Sequence, residues 1–215
     1  MAGGCAGPLS TLDPAGPASG RIATLWWVML SGSVVIFAFV MVLLVMAWRR
    51  APPDGGDESR ALERLWVHRL GIAFPVVVLA ALLVYGLVIG EALLPRASDT
   101  TVVVRAEARQ WAWTFGYADA PGRRTPGVLH IPARRPVDVE ITTLDVVHSF
   151  WVPRLAGKLD AIPGHVNRLR LEADAPGRYA GVSAEFNGNG YGTHAFEVVA
   201  HDPAGWKAFI ERGGE

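Results

Sequence analysis

Two long stretches of this chain carry no charge, and they constrain everything else about it. Ile22 to Trp48 runs for 27 residues, and Leu70 to Gly90 for 21, without an Asp, Glu, Lys or Arg. A helix of about 20 apolar residues crosses the hydrocarbon core of a bilayer. Neither stretch shows a polar face recurring every third or fourth position, as a helix on a globular surface does. Two transmembrane helices are therefore expected, over about 22–48 and 70–93. The alternative, a buried helical hairpin of a soluble domain, fits poorly.

The loops set the expected orientation. Arg49, Arg50, Arg60, Arg64 and Arg69 lie between the two spans, whereas only Arg21 and Arg96 flank them closely on the other side. Excess arginine marks the cytoplasmic face, so the loop 49–69 is expected there. Both termini then lie outside, in the periplasm of a bacterial inner membrane. Trp26, Trp27 and Trp48 sit near the ends of the first span, where indole rings anchor at headgroups. Residues 1–21, rich in Gly, Pro and Ala, read as an extended outer tail.

After Pro95 the pattern changes. Thr101–Tyr117, Val128–Ile131, Val137–Thr142, Asn167–Glu172 and Phe196–Ala200 are rich in β-branched and aromatic residues, and several alternate polar with apolar. Turn signals at Ala120-Pro121-Gly122, Pro163-Gly164 and Pro176-Gly177 separate them. Short strands at this spacing predict a β-sandwich. Asp202-Pro203 offers a capping side chain followed by proline at the first helical position, so a short helix should close the chain. The expected organisation is a tail (1–21), a hairpin (22–95) and an outer β domain with a C-terminal helix (96–215).

Lys plus Arg equals Asp plus Glu at 20 each, which gives no charge signal for nucleic acid. The single cysteine, Cys5, rules out an internal disulfide framework and any protein-derived pair of thiolates. Small residues surround it (Gly3-Gly4-Cys5-Ala6-Gly7), as at a lipidated cysteine whose apolar signal would lie upstream of the written start. No nucleophile–base constellation or phosphate loop is evident. Gly188-x-Gly190 does not open a helix and lacks the rest of a dinucleotide fingerprint.

Four further segments carry a resemblance. They are Gln110-Trp111-Ala112-Trp113, Val146-Val147-His148-Ser149-Phe150-Trp151, Lys158-Leu159-Asp160-Ala161-Ile162-Pro163-Gly164, and the loop from Ser183 to His194. With two spans ahead of a β-sandwich, they resemble subunit II of the haem–copper respiratory oxidases, from about residue 10 to residue 212. The resemblance implies a membrane α plus all-β fold, a transmembrane hairpin followed by a periplasmic cupredoxin-like domain. His148 then matches the first copper-ligating histidine, and Trp111 the ring over the copper site at which electrons arrive.

Ser183, Asn187, Tyr191 and His194 match the C-x₃-C-x₃-H-x₂-M spacing of the family's dinuclear copper (CuA) ligands, but neither cysteine is present. Two bridging thiolates are required to hold that metal pair, and serine and asparagine cannot bridge. What remains is His148, His194 and the Glu185 carbonyl. This set is either an adventitious divalent-ion site or, as we read it, ordinary hydrogen-bonded histidines. The loop resembles that of cytochrome bo-type quinol oxidases, which also lack this copper. Gly188 and Gly190 would permit the tight backbone path, and Phe186 and Tyr191 would fill the volume that ligands and ions left.

The implied function is an accessory, non-catalytic subunit of a terminal oxidase. Membrane quinol would be oxidised, and oxygen reduced to water, in partner subunit I, which would hold the haems and copper. The alternatives are subunit II of a cytochrome c oxidase-like complex fed by another haem subunit, and a subunit of an oxidase-related nitric oxide reductase. The family also implies that Glu185 reaches a magnesium ion at the subunit I interface, since carboxylate oxygens suit Mg²⁺. Glu63 resembles a glutamate at a proton-channel mouth, and Asp160 and Lys158 would border a hydrated exit region.

Overall fold

A computed structural model describes residues 5–49, 64–95 and 100–212. Contacts divide the chain into two compact units, one of residues 25–92 and one of residues 1–24 with 93–215.

The first unit is helical. Helix α1 spans Pro17–Arg49 and α2 spans Phe74–Leu93. A π-type stretch, Leu65–Ala73, leads directly into α2. There the Phe74 N–H bonds back five residues to the Arg69 carbonyl. This widening directly precedes Pro75, whose ring has no N–H to continue the ladder and crowds the preceding turn. Among the described residues, Pro17–Arg49 and Leu65–Leu93 are long and apolar enough to cross a membrane, and their apolar windows are unburied. The helix α1 begins five residues ahead of its expected start. Glu63 lies outside the described residues.

The second unit is a β-sandwich, with ten strands among the described residues. They are β1 Val102–Arg109, β2 Ala112–Tyr117, β3 Ala120–Pro126, β4 Val128–Pro132, β5 Val137–Thr143, β6 His148–Trp151, β7 Lys158–Ala161, β8 Asn167–Leu171, β9 Gly177–Ser183 and β10 Ala195–His201. One sheet runs β3-β2-β1-β5-β8 and the other β4-β10-β9-β6-β7. β1 pairs with β5, and β10 with β4, in parallel; the other ladders are antiparallel. The inner faces meet in an aromatic centre where Trp113 stacks with Phe115 and Phe150 with Phe196, and the two pairs pack edge-on or tilted against each other. Each such ring removes a large apolar area from water, so this centre supplies much of the domain's cohesion.

Two sequence expectations change here. Ala120-Pro121-Gly122, read as a turn, opens strand β3. That strand is a sheet edge, where a proline costs no ladder bond. The tail before α1 is not free either. The Ala15 N–H donates to the Arg154 carbonyl at 2.7 Å, and the Asp174 N–H to the Ala15 carbonyl at 2.9 Å. Ser19 Oγ reaches the Arg154 carbonyl at 2.6 Å, and Arg154 pairs with Asp13 at 3.0 Å. Gly16 fits because a Cβ there would stand 2.1 Å from the Glu172 carbonyl oxygen. The expected C-terminal helix is present as α3, Pro203–Glu211, with Asp202 accepting from the Gly205 N–H at 2.7 Å.

Candidate functional site

The segments singled out from sequence converge at one end of the sandwich. His148 opens β6, and Ser183 closes β9, whose partner across the ladder is Phe150. The loop after Ser183 is held to the sandwich at both ends. The Ala184 N–H donates to the Ser149 carbonyl, and the Ser183 N–H to the His194 carbonyl. A single 3₁₀ turn, Tyr191–Thr193, then delivers His194 back toward His148. His148, Ser183, Asn187 and His194 are all buried, and the two imidazole centroids lie 5.0 Å apart at 85°.

Asn187 joins them. Its Nδ2 lies 2.7 Å from His148 Nδ1, 2.9 Å from His194 Nδ1 and 3.2 Å from Ser183 Oγ. An amide nitrogen only donates, so both Nδ1 atoms act as acceptors and both rings carry their proton on Nε2. His148 Nε2–H then donates to Asp145 Oδ1 at 2.7 Å. Asp145 also receives the backbone N–H of Gln110 and Val146, each at 2.7 Å, and the Thr143 hydroxyl at 3.1 Å.

His194 is less well served. Burial, then the neighbouring His148, hold its imidazole below the usual value, with Ala112 and Asp145 acting weakly the other way. Although the Ala112 carbonyl is near enough to favour the charged ring, Nε2–H makes no bond of ordinary distance and angle. Asn187 Oδ1 and Ser149 Oγ are buried without partners as well.

The predicted residues separate into two groups. His148, Ser183, Asn187 and His194 come together as a buried polar cluster. Phe186 and Tyr191 do not fill it: they are 73% and 37% exposed, with their rings 6.1 Å apart on the surface. The expected repacking by aromatic rings is thus replaced by one small amide. The physical reason is that two inward imidazole nitrogens need donors, which a phenyl ring lacks. Glu185 is half-buried, and its carboxylate makes no hydrogen bond or ion pair among the described residues.

The two tryptophans take different places. Trp111 is 43% exposed and lies on the glycine loop, with Nε1 donating to the Asn187 carbonyl at 3.2 Å. Gln110 Nε2 donates to the same carbonyl at 2.7 Å. Gly188 has φ +110°, and a Cβ on Gly190 would stand 2.2 Å from the indole of Trp111, so glycine is required for this close approach. The ring in contact with the imidazoles is Trp113, stacked on His194 at 5.6 Å and edge-on to His148 at 6.4 Å. Sequence reasoning missed its role. The inward alternation along β2 was the available signal.

The residues do not fit a dinuclear copper pair. Bridging needs soft, anionic sulfur at two positions, and those positions hold the Ser183 hydroxyl and the Asn187 amide. Among the described residues, no group of three or more His, Cys, Asp or Glu side chains could hold a metal ion. Cys5 is exposed, in the N-terminal segment.

Comparison with known proteins agrees with this architecture. Residues 123–200 match the family model described as cytochrome c oxidase subunit II, periplasmic domain. Cytochrome c oxidase subunit 2 of Alkalihalophilus pseudofirmus is 32% identical over 97% of this chain, which spans 64% of that protein's length. Quinol oxidase subunit 2 of Bacillus cereus is 29% identical over 92% of the chain and 70% of its own length. The periplasmic domain of subunit II of cytochrome oxidase from Bradyrhizobium japonicum superposes with a TM-score of 0.52 at 21% identity, over 56% of this chain and 96% of that domain, a likeness of fold. With the two apolar helices and a ligand loop that has no cysteine, the chain is thus similar to subunit II of the respiratory oxidases over nearly its whole length.

Proposed function

We propose that this chain is the accessory subunit II of a haem–copper terminal oxidase that takes its electrons from membrane quinol. The observation that carries this reading is the absence of thiolate at both bridging positions, with a hydrogen-bonded amide network in its stead. A subunit without that centre cannot relay electrons from cytochrome c, so they enter through the partner subunit, where oxygen is reduced. Similarity to proteins named quinol oxidase subunit 2 supports this direction. The chain itself catalyses nothing. It is anchored in a bacterial inner membrane by two spans, and the arginine-rich loop 49–69 favours termini and sandwich on the periplasmic side.

Glu185 supports a magnesium ligand toward subunit I, being half-buried and uncommitted. Trp111 has lost its reason to conduct electrons and serves to pack the glycine loop. A second reading, a cytochrome c oxidase-like complex fed through a separate haem subunit, is favoured by the similarity to a protein named cytochrome c oxidase subunit 2. The purified complex, assayed with quinol and with reduced cytochrome c, separates the two. Turnover with quinol alone supports the first; turnover only with cytochrome c overturns it.

A further inference from the structure

Two imidazole nitrogens and one amide nitrogen meet at a single buried point. His148 turns Nδ1 inward because its Nε2–H donates a hydrogen bond to Asp145 Oδ1 at 2.7 Å. His194 turns Nδ1 to the same place, and Asn187 Nδ2 stands 2.7 and 2.9 Å from the two. An amide has two hydrogens, and each imidazole takes one. Ser183 Oγ, at 3.2 Å, is the weaker third contact. The other end of the same side chain, Oδ1, is buried and unpartnered. The position is therefore explained by what the nitrogen does and not by the oxygen. Converging imidazole lone pairs, one of them supported from behind by a carboxylate, are the arrangement that ordinarily serves a metal ion.

We propose that the Asn187 amide stands in for a metal ion, occupying the point where His148 and His194 converge, and that it is the residue that closes this pocket to divalent transition metals. The two rings stay preorganised for an ion that suits imidazole, such as Co(II), Cu(II) or Zn(II). While the amide donates to both, neither lone pair is available. This inference is independent of the electron donor and stands apart from the quinol reading.

The test uses the full chain in detergent, native and Asn187→Gly, both carrying His201→Gln. That background removes a second histidine contact, His130 Nδ1 to His201 Nε2 at 2.8 Å, which would compete for metal. Each protein is titrated with Co(II) and followed by its ligand-field absorption. Asn187→Gly should take up the ion at this site, and the native sequence should not. Adding His148→Ala or His194→Ala should abolish uptake. Adding Asp145→Asn should weaken it about 10–100-fold. Equal uptake with and without the amide overturns the proposal, as does uptake that survives loss of either imidazole. Nitrogen NMR of ¹⁵N-histidine in the native chain gives a reading that needs no variant to fold. Both rings should be Nε2–H tautomers with bare Nδ1, and an Nδ1 proton on either would overturn the assignment.

Discussion

Asp145 and His148 lie three residues apart across the connection from β5 to β6, and the carboxylate accepts the ring proton at 2.7 Å. Burial works to raise the Asp145 carboxyl. The His148 ring, the Gln110 and Val146 N–H groups and Thr143 outweigh it and bring the group down to about 2. A carboxylate depressed below its unfolded value of about 3.9 stabilises the fold above that pH, and this contribution fades as pH falls toward 2. Asp145→Asn should cost about 1–2 kcal/mol at neutral pH, toward the low side because a third of the side chain meets solvent. Denaturant unfolding should also show that the variant has lost the part of the native pH dependence lying between about 4 and 2.

The same sign, in a higher pH window, is expected at the His130–His201 pair. His130 and His201 bond to each other, and Phe209 of α3 stacks on the His130 ring at 4.4 Å. Arg123 covers that phenyl ring with its guanidinium carbon 4.4 Å from the centroid. Burial first, then His201, Arg123 and Arg178, push His130 down to about 4, against the attraction of Glu197. Burial lowers His201 too, with Asp202 opposing. A histidine depressed in the folded state binds its proton more readily when unfolded. Stability should therefore be complete above about 6.5 and decline as pH falls from there to about 4. Thermal melts at pH 7 and pH 5 should differ more for the native chain than for His130→Phe.

Gly190→Ala should be destabilising by about 1–3 kcal/mol, because the new methyl overlaps the Trp111 indole and the loop is already turned tightly. A half-exposed indole can swing away, at the loss of its bond to the Asn187 carbonyl. In the Trp111→Ala background the same substitution should cost much less. A double-mutant cycle on unfolding free energies measures this, and additive costs would remove the contact from the account.

Gly16→Ala meets backbone instead of side chain. Its Cβ would fall 2.1 Å from the Glu172 oxygen and 3.1 Å from that of Leu155, and neither can rotate aside. The segment around Ala15 should lift off. Hydrogen exchange at the Ala15, Ser19 and Asp174 amides should quicken, while amides of β1 and β5 should not.

The membrane helices and most inward-facing strands were legible because periodicity and length alone specify them. Strand β6 was not, since His148, Ser149 and Phe150 are all buried and leave no alternation to read. The inward place of Trp113 was hidden for a related reason. Positions 111 and 113 share parity, but a turn at 110–111 separates Trp111 from β2 and breaks the rule. The missing thiolates could be read directly, residue by residue. The amide bridge could not, because it joins Asn187 to a ring 39 positions away and depends on which nitrogen each imidazole turns inward.

The docked segment around Ala15 has a topological consequence. A stretch of chain that shares main-chain bonds with Arg154 and Asp174 must be in the same aqueous compartment as they are. The helices between must therefore cross the bilayer an even number of times, whatever the arginines dictate about direction. Insertion and folding are coupled as a result: the stitch can be closed only after the hairpin has gone in and the chain as far as Asp174 has followed.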